Sequence, residues 1–320
     1  MTLIITNTTD VSSINIMEWL KYMNKPYICI TDEDEIEIKE YSPKDTVAFS
    51  VNGKEIKVDE IKSVWYRRGY FNYKNYQFPE IGKDDYSPYD TTKLFKRQHY
   101  KEIDTLIEYL HYRLNKKMHI NYFYNSEVNK LVVLDKAIEC GLLIPPTKIC
   151  THKKQVEQFI QDNKSQIITK TATSSSTASN SELIIYCYTE VIDLKKLTDT
   201  FFPSMFQKMI EKEFEIRIFF LDTEFYAMAI FSQNDEQTMV DFRKYNRNKP
   251  NRTVPFLLPK TIESKLKKLV ALLQLNCGSI DMIYSKDNKY YFLEINPIGQ
   301  FGMVSLPCNY YLEKRIAEYL

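Results

Sequence analysis

Glycine is scarce in this chain, at 7 of 320 residues, so each one is expected to answer a backbone need that no other residue meets. No apolar run approaches the roughly 18 residues that a membrane-spanning helix requires. The opening "MTLIITNTTD" lacks the charged start and long apolar stretch of a secretory signal. The expectation from these absences is a cytoplasmic protein with no membrane partner. Charge of one sign is also missing. With 43 Lys and Arg against 42 Asp and Glu, the formal net charge is +1, and no global field attracts nucleic acid. The six cysteines, Cys29, Cys140, Cys150, Cys187, Cys277 and Cys308, never stand at CxxC spacing. Each lies in apolar surroundings, so they read as buried free thiols in a reducing compartment. Only four histidines occur, His99, His111, His119 and His152, and no Ser/His/Asp or Cys/His signature accompanies them. Covalent nucleophilic catalysis by the protein is therefore not indicated.

What is abundant is aromatic and mixed in pattern. There are 24 Tyr and 18 Phe, which favour strands and half-polar surfaces. "TLIITN", a helical "SSINIMEWLKYMN" with Ser12 or Ser13 as N-cap, and "PYICIT" predict a β-α-β opening. "IKSVWYRRGYF" predicts a further strand ending in two arginines. Residues 86–118 carry apolar residues at helical spacing in their second half. Beyond them, Leu131, Leu134, Ala137 and Ile138 give a helical face. "SQIITK" predicts a strand running into a small-residue loop over 171–181, and "ELIIYCYTE" a strand returning from it. "FEIRIFFLDTEFYAMAIF" predicts a hairpin about Asp222-Thr223, "IESKLKKLVALLQL" an amphipathic helix, and "GSIDMIYSKDNKYYFLEINP" a second hairpin.

That second hairpin carries the chemistry. With Asp287-Asn288 as its two turn residues, Lys286 pairs with Lys289 and Asp281 falls opposite Glu294. Asn296, two residues on, shares a face with Glu294. Asp281, Glu294 and Asn296 then converge as three hard oxygen donors, a set that suits Mg²⁺. The competing reading is a surface hairpin with solvated carboxylates. Tyr290, Phe292 and Ile283, placed by the same counting on the acidic face, argue against it. Leu293 and Ile295 point to a core, and Gly299 and Gly302 let the chain turn close by. A metal held by carboxylates usually serves a phosphorylated ligand, which needs cationic partners. Lys170 ends a strand beside the Ser/Thr loop. Arg217 shares a strand face with Glu215, opposite Phe214, Ile216 and Ile218. Arg243 lies in "VDFRKYNRN". Each cation alone could be solvated or a salt-bridge partner; order and spacing carry the signal.

In that order and spacing the chain resembles the ATP-grasp enzymes over about residues 119–306, with "EINP" the most specific element. "VWYRRGYF", "NRTVPFLLP" and "GQFGMVSLPCNY" resemble more closely the graspetide synthetases, the microviridin-type peptide ligases, and among them the grasp-with-spasm maturases. The resemblance implies an α/β (α+β) ATP-grasp fold. It would comprise an N-terminal pre-ATP-grasp domain over 1–118, a central lid domain over 119–205 and a C-terminal antiparallel-sheet catalytic domain over 206–320. It implies ATP and Mg²⁺ as cofactors, a ribosomally made precursor peptide with leader and core as partner, and a homodimer. Lys130 and Lys170 would contact nucleotide phosphates. Gln207, Lys208 and Met209, in the hinge "FQKMIEKEFEIR", would meet adenine. Glu211, or less so Glu213, would hold the ribose. Asp281, Glu294 and Asn296 would hold Mg²⁺, Arg217 would act in acyl-phosphate transfer and Arg243 would touch phosphate. The loop "TATSSSTASN" departs from glycine-rich ATP-grasp lids. Two other functions compete: a ligase adding a free amino acid to a peptide terminus, and a non-catalytic peptide-binding relative.

Overall fold

The structure, a computed structural model, describes residues 1–69, 71–73, 91–173, 177–179, 184–233, 241, 246, 248 and 250–320. The chain divides into two compact units: Met1–Phe123 with Glu313–Leu320, and Tyr124–Leu312.

In the first unit, β1 (Thr2–Ile5), α1 (Val11–Tyr22) and β2 (Tyr27–Ile30) form the expected β-α-β opening. Then come β3 (Glu35–Tyr41), β4 (Val47–Val51), β5 (Lys54–Lys57), β6 (Ser63–Tyr66), β7 (Asn72–Tyr73), α2 (Thr91–Leu114) and β8 (Met118–Ile120). One sheet, ordered β2-β1-β6-β8, is parallel throughout; a second runs β5-β4-β3-β7. The helix α1 begins before the expected serine caps. Asp10 occupies the N-cap position but makes no capping bond, because its carboxylate is taken by side chains, among them the Ser13 hydroxyl. The C-terminal stretch belongs to this unit: the Ser63 hydroxyl donates to the Leu320 carbonyl at 2.7 Å, and Lys25 Nζ to those of Ala317 and Glu318.

The core of this unit contains one histidine. His111 is fully buried, stacked on Phe123 at 3.8 Å and on Phe71 at 4.9 Å between ring centroids, with Nδ1 3.3 Å from the Tyr66 hydroxyl. Burial pushes its pKa down to about 3 from an ordinary 6.5. The folded state therefore refuses a proton that the unfolded chain accepts, and stability is lost as pH falls below the unfolded value toward the folded one. Between pH 6.5 and about pH 5 the loss is about 2 kcal/mol. His111→Phe is expected to remove this component. Urea midpoints of both proteins across that range check it, and parallel pH profiles refute it.

The second unit holds α3 (Lys130–Glu139), β9 (Thr147–His152), α4 (Lys153–Asn163), β10 (Ile167–Lys170), β11 (Thr177–Ser179), β12 (Ile184–Tyr186), β13 (Glu190–Val191) and β14 (Thr200–Lys208). It continues with β15 (Lys212–Leu221), β16 (Glu224–Phe231), β17 (Arg252–Phe256), α5 (Lys260–Leu272), β18 (Cys277–Ser285), β19 (Tyr290–Asn296) and α6 (Gly302–Cys308); α7 (Leu312–Tyr319) follows. Strands β13-β10-β14-β9 form one sheet, and β17-β16-β15-β18-β19 an antiparallel five-stranded one. The returning strand expected at "ELIIYCYTE" is split between β12 and β13, and β11 forms a short hairpin with β12 inside the expected loop. The hairpin about Asp222-Thr223 forms as expected, Leu221 pairing with Glu224 and Asp222 left-handed at φ 53°.

One face of the five-stranded sheet is a core. Ile216, Ile218 and Phe220 of β15, Ile280 and Met282 of β18, and Phe292 and Ile295 of β19 pack with Val133, Leu134 and Ala137 of α3 and Leu266, Leu269 and Val270 of α5. Burying each such side chain contributes roughly 1.5–3 kcal/mol. The helices are thereby held against one side of the sheet, and alternation along the strands delivers Arg217, Asp281 and Glu294 to the other. Among the described residues no helix is long and apolar enough to cross a membrane.

Candidate active site

The second hairpin brings Asp281 and Glu294 into register, but by a different route from the expected two-residue turn. The Ser285 N–H bonds the Lys289 carbonyl at 2.9 Å, so the turn is the three-residue Lys286–Asn288, with Asn288 left-handed at φ 60°. Next to the turn Tyr284 pairs with Tyr290 and Met282 with Phe292; a bulge at Leu293 then restores Asp281 opposite Glu294. The two offsets cancel. The bulge also exchanges faces. Phe292 lies in the core rather than on the acidic face, Tyr290 packs against that core, and Leu293 joins Ile283 in lining the cavity. A surface hairpin with freely solvated carboxylates is not what forms, since Asp281 is only 9% exposed.

Each carboxylate is held by a cation. Arg217 Nη1 lies 2.6 Å from Asp281 Oδ2, and Lys130 Nζ 3.0 Å from Glu294 Oε2. Lys130 heads α3 behind its N-cap Asn129 and also donates to the Thr171 carbonyl at 3.2 Å. Asn296 Nδ2 lies 3.4 Å from Glu294 Oε1, so the three expected donors are gathered on one strand pair. Their oxygens are hard donors that fit Mg²⁺. Among the described residues no group of three or more His, Cys, Asp or Glu is placed to hold a metal ion. Gly299 explains the tight exit from β19: a Cβ there would lie 2.0 Å from Ser279 Oγ and 2.4 Å from its backbone nitrogen. Gly302, by contrast, starts α6 with open space around it, and no close approach demands glycine.

Asp281 and Glu294 open into a cavity also lined by Lys170, Gln207, Lys208 and Ile210. Of the expected hinge, Gln207 and Lys208 face this cavity. The Gln207 amide donates to Thr147 Oγ1 at 2.9 Å, tying β14 to β9. Met209 does not line the cavity: its N–H donates to the Gln166 carbonyl, its carbonyl accepts from Ser165 Oγ, and Ile210 takes the lining position. Glu211 is exposed, 3.6 Å from Lys286 in an ion pair, and likewise off the cavity wall; Glu213 is exposed as well. Arg243 falls outside the described residues.

A buried ion pair missed by the sequence reading adjoins this set. Lys212 Nζ bonds Glu215, which also accepts from Ser232 Oγ at 2.9 Å. Burial pushes the Glu215 carboxyl up, with Lys212 and Ser232 pulling the other way. Three residues apart on a regular strand, Lys212 and Glu215 would face opposite sides. A register shift between Lys212 and Phe214 reunites them, and strand alternation carries no signal of such a shift. Glu215 is thereby engaged by Lys212, and Arg217 is left to Asp281. Asp241, buried and accepting the Thr189 N–H at 3.1 Å, is a further carboxylate on the cavity wall.

A four-stranded sheet followed by an antiparallel sheet with paired carboxylates, in a chain that also carries an α/β unit, is the architecture of the ATP-grasp ligases. Among solved structures the chain is similar along its length to RiPP-associated ATP-grasp ligases. The macrocyclase MdnC of Microcystis aeruginosa MRC, solved with its precursor peptide MdnA, is 27% identical with a TM-score of 0.74 over 100% of this chain and 99% of its own. A RiPP-associated ATP-grasp ligase of Chryseobacterium gregarium, solved with ADP and a leader and core peptide, is 25% identical with a TM-score of 0.76 over 99% and 94%. The ATP-grasp ligase PsnB, solved with a minimal precursor, Mg and ADP, shares the fold at 15% identity and a TM-score of 0.69 over 99% and 95%. Neither a protein-family model nor a curated protein sequence matches the chain.

Proposed function

We propose that this protein is an ATP-dependent macrocyclase acting on a ribosomally made precursor peptide. It activates Asp or Glu side chains of the peptide as acyl phosphates and joins them to Ser or Thr as esters, or to Lys as amides. The observation that carries the proposal is the pairing of Asp281 with Glu294, each under a cation, on the wall of a lysine-bearing cavity. It occurs in a fold shared along its whole length with ligases solved with precursor peptides.

A carboxylate is a poor electrophile at neutral pH. Transfer of the ATP γ-phosphoryl to it releases ADP and creates a leaving group; attack by hydroxyl or amine then closes the ring and releases phosphate. Charge accumulates on the phosphoryl oxygens during transfer, and preorganised cations lower that barrier. Lys130 and Lys170 are assigned to the nucleotide phosphates, Gln207 and Lys208 with neighbouring Met209 to the adenine side, and Glu211 to the ribose. Arg243 is assigned to phosphate and Arg217 to the transferring group. Asp281, Glu294 and Asn296 would hold Mg²⁺, which when bound neutralises phosphate charge. Lys130 and Arg217 hold those carboxylates in place meanwhile.

Co-expression with short neighbouring reading frames rich in Thr, Ser, Asp and Glu tests the proposal. One peptide is expected to lose the mass of one water per ring, with ADP release dependent on that peptide. ADP release with a free amino acid instead, or no peptide-dependent turnover with any such frame, overturns it.

A further inference from the structure

The two arginines that end "VWYRR" have no part in the chemistry above, yet the first unit is built around them. In its parallel sheet the order β2-β1-β6-β8 reverses direction between β1 and β6. Open parallel sheets take ligands at the carboxyl ends of the strands beside such a reversal. The residues leaving β1 there are Thr6 to Asp10, and those leaving β6 are Arg67 and Arg68.

The backbone at this point is rigid. The N–H groups of Arg67 and Arg68 both turn to the Ile5 carbonyl, at 2.9 and 3.4 Å. Gly69 then crosses the end of β1 so closely that a Cβ on it would lie 2.1 Å from the Thr6 carbonyl oxygen and 2.7 Å from Thr6 N. Only glycine fits, which accounts for the third residue of "RRG". Beneath the crossing, Asp10 Oδ2 accepts from Arg67 Nε at 3.2 Å, Ser13 Oγ at 2.5 Å and Thr6 Oγ1 at 3.3 Å. Burial alone would raise the Asp10 carboxyl; Arg67, Ser13 and Arg68 outweigh it and hold it below the usual carboxylate range.

Arg68 differs from Arg67. Its side chain is 35% exposed against 4% for Arg67, and its Nε lies 3.6 Å from Asp10 Oδ1, beyond hydrogen-bond length. Asp10 is its only ion-pair partner among the described residues. One carboxylate, already crowded on its other oxygen, thus serves two guanidiniums, and the outer one approaches it through Nε. Buried ion pairs are weak stabilisers, so stability gives little reason for two arginines here.

We infer that Arg68 is a carboxylate-reading residue. Held at the sheet reversal by Arg67, Asp10 and the Gly69 crossing, its two Nη groups offer a fork for an Asp or Glu side chain of the peptide substrate. This rests on the peptide reading above, and names the chemistry that this unit recognises. A planar guanidinium matches a carboxylate with two hydrogen bonds, which an ammonium does not.

The test uses the full-length protein and binding, so that it does not depend on turnover. A fluorescein-labelled peptide of alternating Thr and Glu, and its Thr and Gln counterpart, are titrated by anisotropy. Wild type is expected to prefer the Glu peptide. Arg68→Ala should weaken Glu-peptide binding at least about tenfold, the scale of one charge-assisted pair, and leave the Gln peptide unaffected. Arg68→Lys should restore the preference only in part. ADP affinity and the thermal midpoint should stay as in wild type. Equal binding of both peptides by wild type, or a preference that survives in Arg68→Ala, overturns the assignment. A loss of ADP affinity with peptide preference intact also overturns it and moves Arg68 to phosphate. Peptide-dependent ADP release is measured separately, so a failed macrocyclase reading shows there and not in the binding ratio.

Discussion

Glu294→Ala is expected to lower ring closure by more than about a thousandfold while the protein stays folded. On the proposed assignment Glu294 would hold Mg²⁺, and losing such a ligand removes charge neutralisation worth several kcal/mol at the transferring phosphoryl group. Asp281→Ala and Asn296→Ala should follow the same pattern. The structure adds a consequence for both carboxylates: Asp281→Ala strands the buried Arg217, 2.6 Å from Asp281, and the same holds for Glu294. Its partner Lys130 is buried and sits 3.0 Å away, so alanine strands a buried charge that the Thr171 carbonyl satisfies only in part. Glu294→Ala should therefore also lower the thermal midpoint, and Asn296→Ala, which strands no cation, should not. Circular dichroism, thermal midpoints and peptide mass loss separate the two effects. A folded Glu294→Ala protein with near wild-type turnover would refute the metal assignment.

Arg217→Lys is expected to bind ATP as wild type does yet close rings about a hundredfold more slowly, the scale of one lost charge-stabilising donor. Arg217 is buried on β15 and reaches Asp281 with Nη1 at 2.6 Å, while its Nε has no hydrogen-bond partner among the described residues. A scaffold role would need only a positive charge beside Asp281, which lysine supplies, and would make Arg217→Lys mild. A role at the phosphoryl group needs the planar fork, which lysine lacks. Arg217→Ala loses both and should destabilise as well, since Asp281 would be left buried without its cation. Thermal midpoint, ATP affinity and single-turnover ring closure on both variants decide between the two. Normal ring closure by the lysine variant would leave Arg217 as the partner of Asp281 and nothing more.

The spacing of alternating residues determined by itself that Arg217 points away from Phe214, Ile216 and Ile218; it also set Asp281 opposite Glu294, but through a two-residue turn and an unbulged strand whose two errors cancel. Alternation is a property of a few neighbouring residues, so it can be read without the fold. The same reading misjudged the turn and placed Phe292 on the wrong face. Whether a hairpin closes in two residues or three, and whether Leu293 bulges, depends on which side chain the core accepts; Phe292 fills it against α3 and α5, and Leu293 is pushed out. The Lys212–Glu215 pair was hidden for the same reason, a register shift set by packing. The order of lysines, hinge, arginine strand and "EINP" indicated the ATP-grasp class through its resemblance to that family's pattern. Only the tertiary structure decided their partners. It placed Lys130 on Glu294 and Arg217 on Asp281, turned Met209 from the cavity in favour of Ile210, and set Arg68 beside Asp10. Ion pairs between residues distant in the chain form where packed helices and sheets bring opposite charges within a few ångströms, and that distance is a property of the packing.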